Sequence, residues 1–317
     1  MRLNELLTAD SIVIQCHDNP DADALASGYG VYTYLKDHGK ENVRFVYGGK
    51  ERIRKSNLVL MKDHLGIPIE YADALEEEPD LLVTVDCQPG QRNVHRLSGR
   101  RVAAIDHHEV RQEGLSALWR SDLRPNCGAC STIVWDLLRR EDDFDLYGNQ
   151  KLVTALYYGL FMDTCSLQQI NDFEWMDRVA RNDLEKWHLE EELRQFKTNN
   201  LSIQEVQLVG AALNSVESEK CEALRGAGDS AAHCFAVAKA ARCDPNILGI
   251  IADQLNEVEG VDISVVYWLD GGMKLSIRSC TRTVRANELA GHLSGGGGHQ
   301  DKAGGWLDGS KIDGDPT

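Results

Sequence analysis

Four short apolar runs constrain this chain more than any other feature: Ile12-Val13-Ile14, "VRFVYGG", "DLLVTVDC" and "RVAAIDHH". None alternates apolar with polar residues, as a half-exposed strand would, so each reads as a strand buried on both faces. Helical patterns lie between and after them: "ALASGYGVYTYLKDHG", closing at Gly39, "RKSNLVLMKDHLG", "STIVWDLLRR" and "KLVTALYYGLFMD". Strands alternating with helices predict an α/β fold, a parallel sheet with helices on both faces. From about Glu174 to Glu219 the chain turns helical and charged, which suits a connector with a solvated face and a boundary near Asn199–Asn200. Beyond it "HCFAVAKA", "DISVVYWL" and "MKLSIRS" read as strands, "NILGIIADQLNEVEG" as an amphipathic helix, and a glycine-rich run, "SGGGGHQDKAGG", comes near the end. The expected organisation is a first domain over residues 1–199, ending in the helical connector, and a smaller α/β domain over 200–317.

A length of 317 residues is enough for two cores, and 42% hydrophobic with 26% charged residues is ordinary for a globular protein. No stretch approaches the roughly 20 apolar residues needed to span a bilayer. The segment "MRLNELLTADSIVIQC" carries acidic residues where a secretion signal needs an apolar run, so a cytoplasmic protein is expected. Nine scattered cysteines do not form a disulfide framework. Cys127 and Cys130 make the only C-x-x-C pair. With no second pair they read as small apolar side chains at a helix start rather than as a zinc or redox site. A net charge of −16 argues against an extended nucleic-acid surface but not against a small phosphorylated substrate held by metals and a few arginines.

The polar residues collect where the apolar runs stop. His17, Asp21 and Asp23 follow the first strand in "HDNPDADALASG", Asp86 ends the third, and Asp106, His107 and His108 end the fourth. In a parallel α/β sheet these carboxyl ends lie along one edge, where ligands bind. Asp163, after an apolar helix, is a further candidate for the same edge. Taken singly, Asp21, Asp23 or Asp106 could cap a helix, and a lone histidine is usually structural. Taken together they pose a charge problem, because like charges about 4 Å apart repel by roughly 4 kcal/mol at an effective dielectric near 20. A pair of divalent cations removes it. Mixed carboxylate and imidazole donors suit Mn²⁺, Mg²⁺ or Fe²⁺ better than structural zinc, and two such ions activate water and clamp a phosphoryl group.

"HDNPDADALAS", "VTVDCQ", "AAIDHHE" and "GLFMDT" resemble, in order, the four motifs of the DHH phosphoesterases, and "SIRS" with "GGGGHQDKAGG" resembles their companion DHHA1 domain. The size and domain pair are most similar to the nanoRNase type, the bifunctional oligoribonucleases and pAp phosphatases. The resemblance implies two divalent ions, with Mn²⁺ first and Mg²⁺ or Fe²⁺ as alternatives. One would be held by His17, Asp21, Asp86 and Asp163, the other by Asp23, Asp86, His107 and Asp163, with Asp86 bridging. It implies His108 facing the scissile phosphate as electrostatic stabiliser or proton donor, with Asp106 supporting the histidine pair. In the second domain it implies that Arg278, Gly295, Gly296, Gly297, Gly298 and His299 hold substrate phosphate, with Arg282 and Arg285 secondary.

Two departures stand out. Lys302 occupies a position where the family generally has a small residue, so it either adds a phosphate contact or narrows the pocket. "TCSLQQIND" replaces an expected glycine and aromatic and bears on substrate packing.

The implied activity is hydrolysis of short RNA or DNA oligonucleotides and dinucleotides, and of 3′-phosphoadenosine 5′-phosphate, in a cleft between the domains. The rivals are a phosphodiesterase of a cyclic-dinucleotide pathway, an exopolyphosphatase or pyrophosphatase, and a nucleotide sensor without turnover. The glycine–histidine second domain speaks against pyrophosphatase. No membrane partner is expected, and a homodimer is compatible with this reading.

Overall fold

The computed structural model describes residues 1–50, 52–110, 115–173, 175–198, 201–222, 232–281 and 283–311. The chain divides into two compact units, Met1–Asn200 and Leu201–Thr317. The expected boundary, Asn199–Asn200, lies outside the described residues.

The first unit is built on six strands, β1 (Ile12–Gln15), β2 (Val43–Tyr47), β3 (Ile69–Tyr71), β4 (Leu81–Val85), β5 (Arg101–Asp106) and β6 (Arg120–Leu123). They form one sheet in the order β3-β2-β1-β4-β5-β6, and every pairing is parallel. The four apolar runs are β1, β2, β4 and β5. The two outermost strands, β3 and β6, escaped the sequence reading because they are short and, in β6 ("RSDL"), polar. The helices are α1 (Ala22–Asp37), α2 (Ser56–Leu65), α3 (Cys130–Leu138), α4 (Gln150–Asp163), α5 (Trp175–Leu184) and α6 (Glu190–Lys197).

β1 and β4 share fully buried apolar surface on both sides. Ile12, Ile14, Phe45, Val83 and Ile105 join the main core with α1, α3 and α4, while Val13, Val46 and Leu82 pack with Ala72, Leu75, Leu97 and Val102 on the opposite face. That double burial explains why these runs lack alternation. Strand order reverses between β1 and β4, so the switch point of the sheet lies between the strands that carry His17 and Asp86.

The segment expected to be a solvated connector is more deeply embedded than its charge suggested. Ala180 and Leu184 of α5 and Leu193 and Phe196 of α6 belong to the first unit's core, and Phe196 is fully buried beside Tyr158. Their polar neighbours satisfied a solvated-face pattern while one narrow stripe did the packing.

The second unit contains α7 (Ile203–Leu213), β7 (Glu217–Glu222), β8 (Ala232–Lys239), α8 (Pro245–Asn256), β9 (Ile263–Leu269), β10 (Gly272–Ser279), α9 (Ala286–Ser294), β11 (Gly297–Gly298) and β12 (Lys302–Asp308). Its sheet runs β11-β12-β10-β9-β8-β7 and is antiparallel except for β8 and β9. α7 and α8 pack on one face with Ala236, Ala238, Val266 and Trp268, and α9 on the other with Ile263, Leu275 and Ile277. Among the described residues no helix is long and apolar enough to cross a membrane, and no cysteine forms a disulfide.

Replacing Phe196 by Ala should destabilise the first unit by about 3–5 kcal/mol, the usual cost of deleting a fully buried aromatic ring. Urea unfolding followed by fluorescence tests this. A loss within about 0.5 kcal/mol would mean that α6 is not part of the core.

Candidate metal centre

Three strand ends and one helix end deliver the predicted residues of the first unit to one place. β1 ends at Gln15, and two residues on His17 turns its imidazole toward Asp86, Nε2 lying 3.4 Å from Oδ2. β4 leads into Asp86, whose backbone is left-handed (φ 56°), a conformation that Asp tolerates better than most residues and that marks a turn under constraint. Its amide donates to Ile105 O at 2.9 Å, which ties the turn to β5. β5 ends at Asp106, so His107 and His108 follow directly. The α4 terminus supplies Asp163, whose Oδ2 lies 3.1 Å from His107 Nε2.

Three overlapping trios contain Asp86, each with one donor atom per residue within 4.8 Å of the rest: His17, Asp21 and Asp86; Asp23, Asp86 and His107; and Asp86, Asp106 and His108. One oxygen of Asp86 faces His17; the other, Oδ1, lies 3.3 Å from His107 Nε2 and 3.8 Å from His108 Nδ1. Asp86 Oδ1 is buried and accepts no hydrogen bond among the described residues, which is costly for a carboxylate oxygen unless a cation completes it. No thiolate joins the set, and carboxylate with imidazole is the donor mixture of divalent manganese, magnesium or iron. The residues present therefore fit divalent cations. Asp23, Asp86 and His107 are buried, while the side chains of Asp21 and His108 are 48% and 30% exposed, so the cluster opens on their side.

The supporting contacts are mostly ones that sequence reading did not find. Asp21 does two things at once: Oδ1 caps α1 by accepting from Asp23 N and Ala24 N at 3.0 Å each, while Oδ2 stands 3.8 Å from His17 Nε2. The capping and the ligand readings of this residue are compatible. Asp23 accepts from Cys130 N (2.6 Å), Ser131 N (2.8 Å) and the Ser131 hydroxyl. Ala129, at the N-cap of α3, has no side chain that could do this, so a carboxylate from α1 caps α3 instead, and the positive end of α3 steadies Asp23. Gly159 of α4 makes room for that contact, since a Cβ there would overlap Ser131 Oγ and lie 3.1 Å from Asp23 Cα.

Asp106 holds His108, accepting its Nδ1–H at 2.8 Å and its backbone N–H at 3.3 Å, and is itself held by Gln88 Nε2 at 2.7 Å. His107 is held on the other side of the strand exit. Successive residues leaving a strand point to opposite sides, and His107 Nδ1 instead meets Cys127 O at 3.1 Å. The C-x-x-C pair thus contributes a backbone carbonyl, and the buried Cys130 thiol points to Ile105 O with its pKa pushed well up by burial. After Asp163 the chain makes a left-handed turn through Cys165, Ser166 and Leu167 (φ 50°, 57° and 68°), strain that accompanies the departure seen in "TCSLQQIND".

Without a cation, protons compensate the charge. Burial opposes the charged form of His17, but Asp86, Asp21 and Asp163 outweigh it and push its pKa up to about 9. His107 is raised well above its usual range by Asp163 and Asp86 against the same burial. Burial, reinforced by Asp86 and Asp163, pushes Asp23 well up, whereas contacts with His107 and His17 hold Asp86 well below the carboxylate range despite its burial.

In the second unit, Arg278 donates from Nε to Asp253 Oδ1 at 2.5 Å, and from Nη1 to Ser276 Oγ and Ile277 O at 3.1 Å each. Asp253 was not foreseen. In the glycine run, Gly295 is the left-handed cap of α9, and Gly297 and Gly298 form β11 against Gly304 and Ala303. A Cβ at Gly296 would overlap Gly304 O, and one at Gly298 would crowd Lys302 O and Ala303 Cα, at 2.6 and 2.8 Å; one at Gly297 meets nothing within 4 Å. Packing thus accounts for Gly296 and Gly298, and the open approach is at Gly297. His299 donates its amide to Lys302 O at 2.7 Å. Arg285 pairs with Glu288 at 3.4 Å, and Arg282 lies outside the described residues.

Comparison with known proteins gives the family and the fold. The model of the DHH family, N-terminal domain, matches residues 11–160, and that of the DHHA1 domain matches residues 232–313. A bifunctional oligoribonuclease and PAP phosphatase NrnA from Thermus thermophilus is 30% identical over 311 residues, covering 95% of this chain and 86% of its own. A probable manganese-dependent inorganic pyrophosphatase from Lactococcus lactis is 27% identical over 179 residues, 55% of this chain and 54% of its own. An uncharacterised protein of Methanocaldococcus jannaschii is 24% identical over 295 residues, and this chain spans 57% of its length. The chain therefore spans little more than half the length of these last two relatives. A crystal structure of an exopolyphosphatase-related protein from Bacteroides fragilis has the same fold, with a TM-score of 0.68 at 17% identity over 96% of this chain and 90% of its own.

Metal-free protein should lose stability as pH rises. The folded His17 titrates at about 9 against an ordinary 6.5, so its contribution is complete below 6.5 and disappears as pH passes 9. Metal affinity should move the opposite way, because the imidazole must shed its proton to bind. Thermal melts in EDTA and in Mn²⁺ across pH 6.5–9 test both, and parallel curves would contradict the assignment. Asp86→Ala should remove bound Mn²⁺, measured by elemental analysis of the dialysed protein.

Proposed function

The chain belongs to the DHH/DHHA1 phosphoesterase family, of nanoRNase type, and from that premise we propose that it is a metal-dependent hydrolase of short oligonucleotides and dinucleotides that also removes phosphate from 3′-phosphoadenosine 5′-phosphate. The observation that carries this reading is the buried Asp86 shared by three donor trios at the switch point of a parallel sheet. His17, Asp21, Asp86 and Asp163 would hold one divalent ion, and Asp23, Asp86, His107 and Asp163 the other, with Mn²⁺ preferred over Mg²⁺ or Fe²⁺. When bound, such a pair supplies an activated water and neutralises charge on a phosphoryl group.

The remaining work falls to side chains. Asp106 accepts a hydrogen bond from His108 Nδ1–H, which fixes the ring, and the imidazole is partly exposed on the open side of the cluster. From there it can stabilise the phosphoryl oxygens or donate a proton to the leaving oxygen. Gln88 keeps Asp106 in place, so the tautomer of His108 is decided two contacts away. Arg278 would grip a second phosphate through its planar fork, and the open backbone at Gly297 and the neighbouring His299 would line that phosphate. Recognition by cations and a few arginines is local, which is how a protein of net charge −16 can handle an anionic substrate in the cytoplasm.

Oligonucleotides are favoured over pyrophosphate because the likeness to the oligoribonuclease runs through 95% of this chain, whereas that to the pyrophosphatase covers 55%. A sensor that binds nucleotide without turnover would have no need of the Asp106–His108 arrangement.

The test is a panel in Mn²⁺ of a dinucleotide, 3′-phosphoadenosine 5′-phosphate, a cyclic dinucleotide and pyrophosphate. Release of mononucleotide from the first is expected, and binding without release from any would favour the sensor. His108→Ala should lower kcat by about 10²–10⁴-fold with metal content unchanged. Arg278→Ala should raise KM while leaving metal content intact, and metal loss would contradict its role.

A further inference from the structure

One group of basic residues in the first unit stands without carboxylate partners. Lys50, Arg52 and Arg54 follow β2 and Arg96 follows β4, and all four are exposed. Arg44, Arg100, Arg120, Arg124 and Arg139 of the same unit each pair with an Asp or Glu at 2.6–3.1 Å. None of the four meets a carboxylate among the described residues. Residues 87–96, "CQPGQRNVHR", include no acid, and the one acid of "GGKERIRKS", Glu51, lies outside the described residues. In a chain with 50 acidic and 34 basic residues, such a grouping calls for a reason.

Its position supplies one. β2 and β4 flank β1 and run parallel to it, so the loops leaving them emerge on either side of His17. Both loops are tied to the residue that follows His17. Asp18 donates its amide to Asn93 O at 2.7 Å, and its Oδ1 accepts the His95 amide at 2.6 Å. Gly48 and Gly49 close the other side. A Cβ on Gly48 would lie 2.4 Å from His95 Cβ, and one on Gly49 2.6 Å from Asp18 Cβ. Ile53 donates its amide to the Tyr47 hydroxyl at 3.1 Å. Tyr71, whose hydroxyl donates to Asp73, lies with its ring beneath the Arg52 guanidinium. The backbone that carries these cations is therefore fastened to the loop of the metal centre.

We propose that Lys50, Arg52, Arg54 and Arg96 form a phosphate track on the first unit, which holds the nucleotides of a single-stranded oligonucleotide beyond the scissile linkage. This rests on the phosphoesterase reading above and adds a preference for oligomers of several nucleotides over dinucleotides. The distribution of charge favours this ligand over a single phosphate. Each diester phosphate carries one negative charge. The cations come from two loops whose parent strands stand about 10 Å apart, which suits charges spaced along a chain. Arg52, already held against Tyr71, loses little freedom on binding. Contacts of this kind position the strand and read no sequence.

The experiment compares the wild type with a triple variant, Lys50→Ser, Arg54→Ser and Arg96→Ser. The double variant Arg54→Lys and Arg96→Lys keeps the charge. In Mn²⁺ the triple variant should raise KM for pentaadenylate about tenfold and leave kcat and KM for the dinucleotide ApA within about twofold, while the lysine variant matches the wild type. Binding of labelled pentaadenylate in EDTA reads the track without turnover. There the slope of log affinity against log salt should fall in magnitude by about 2 in the triple variant, from three lost contacts at about 0.7 each for single strands. An unchanged salt slope or an unchanged pentaadenylate KM overturns the inference. So does an equal loss with ApA, which would put these residues at the scissile linkage itself. If the wild type cleaves neither substrate but binds pentaadenylate in EDTA through these residues, the track stands and the hydrolase reading falls.

Discussion

Asp86 is the constraint on which the rest of the first unit depends. Its carboxylate lies at the end of a central strand, is buried, faces two imidazoles with its two oxygens, and has one oxygen that accepts no hydrogen bond among the described residues. Such a group is stable only if positive charge is brought to it, either as protons on His17 and His107 or as divalent cations. The placement follows from the sheet. The strand order reverses at β1–β4, and the loops leaving those two strands diverge and leave a crevice into which both can project.

Around Asp86 the fold spends several ordinary structural devices on holding the candidate ligands still. A helix cap is supplied in trans, from Asp23 to the start of α3, so the same three donors that complete the helix orient the carboxylate. A strand-end aspartate fixes His108 and a backbone carbonyl meets His107. Gly159 lets α4 approach closely enough for these contacts to form. Metal-site support of this kind is comparable in importance to the ligands, because an imidazole free to rotate or change tautomer presents the wrong nitrogen.

The second unit follows the same economy with different chemistry. Its glycine run is mostly accounted for by tight packing of a short hairpin against β12 and the end of α9, so only part of what looked like a phosphate loop is open to a ligand. Its arginine is seated by a carboxylate and a glycine from α8, a helix that the sequence showed only as amphipathic. Reading the glycines as one functional block would have merged two separate physical requirements.

Much of this was legible beforehand because it is governed by local rules. Continuous apolar runs can only be strands covered on both sides, and polar residues that end such runs must share an edge in a parallel sheet; that sufficed to bring His17, Asp86, His107 and their neighbours together. The short edge strands β3 and β6, the burial of Phe196 in a charged helix, and the partners Gln88, Ser131, Asp253 and the Cys127 carbonyl were not legible. Each depends on which distant segments meet. A backbone carbonyl or an α-helical N–H has no signature in sequence, and a residue such as Asp253 becomes informative only when β10 is seen to place Arg278 beneath it. Sequence alone determined the chemistry gathered at the sheet edge; tertiary structure decided which atom of each residue faces which, because orientation is set by contacts made across the fold.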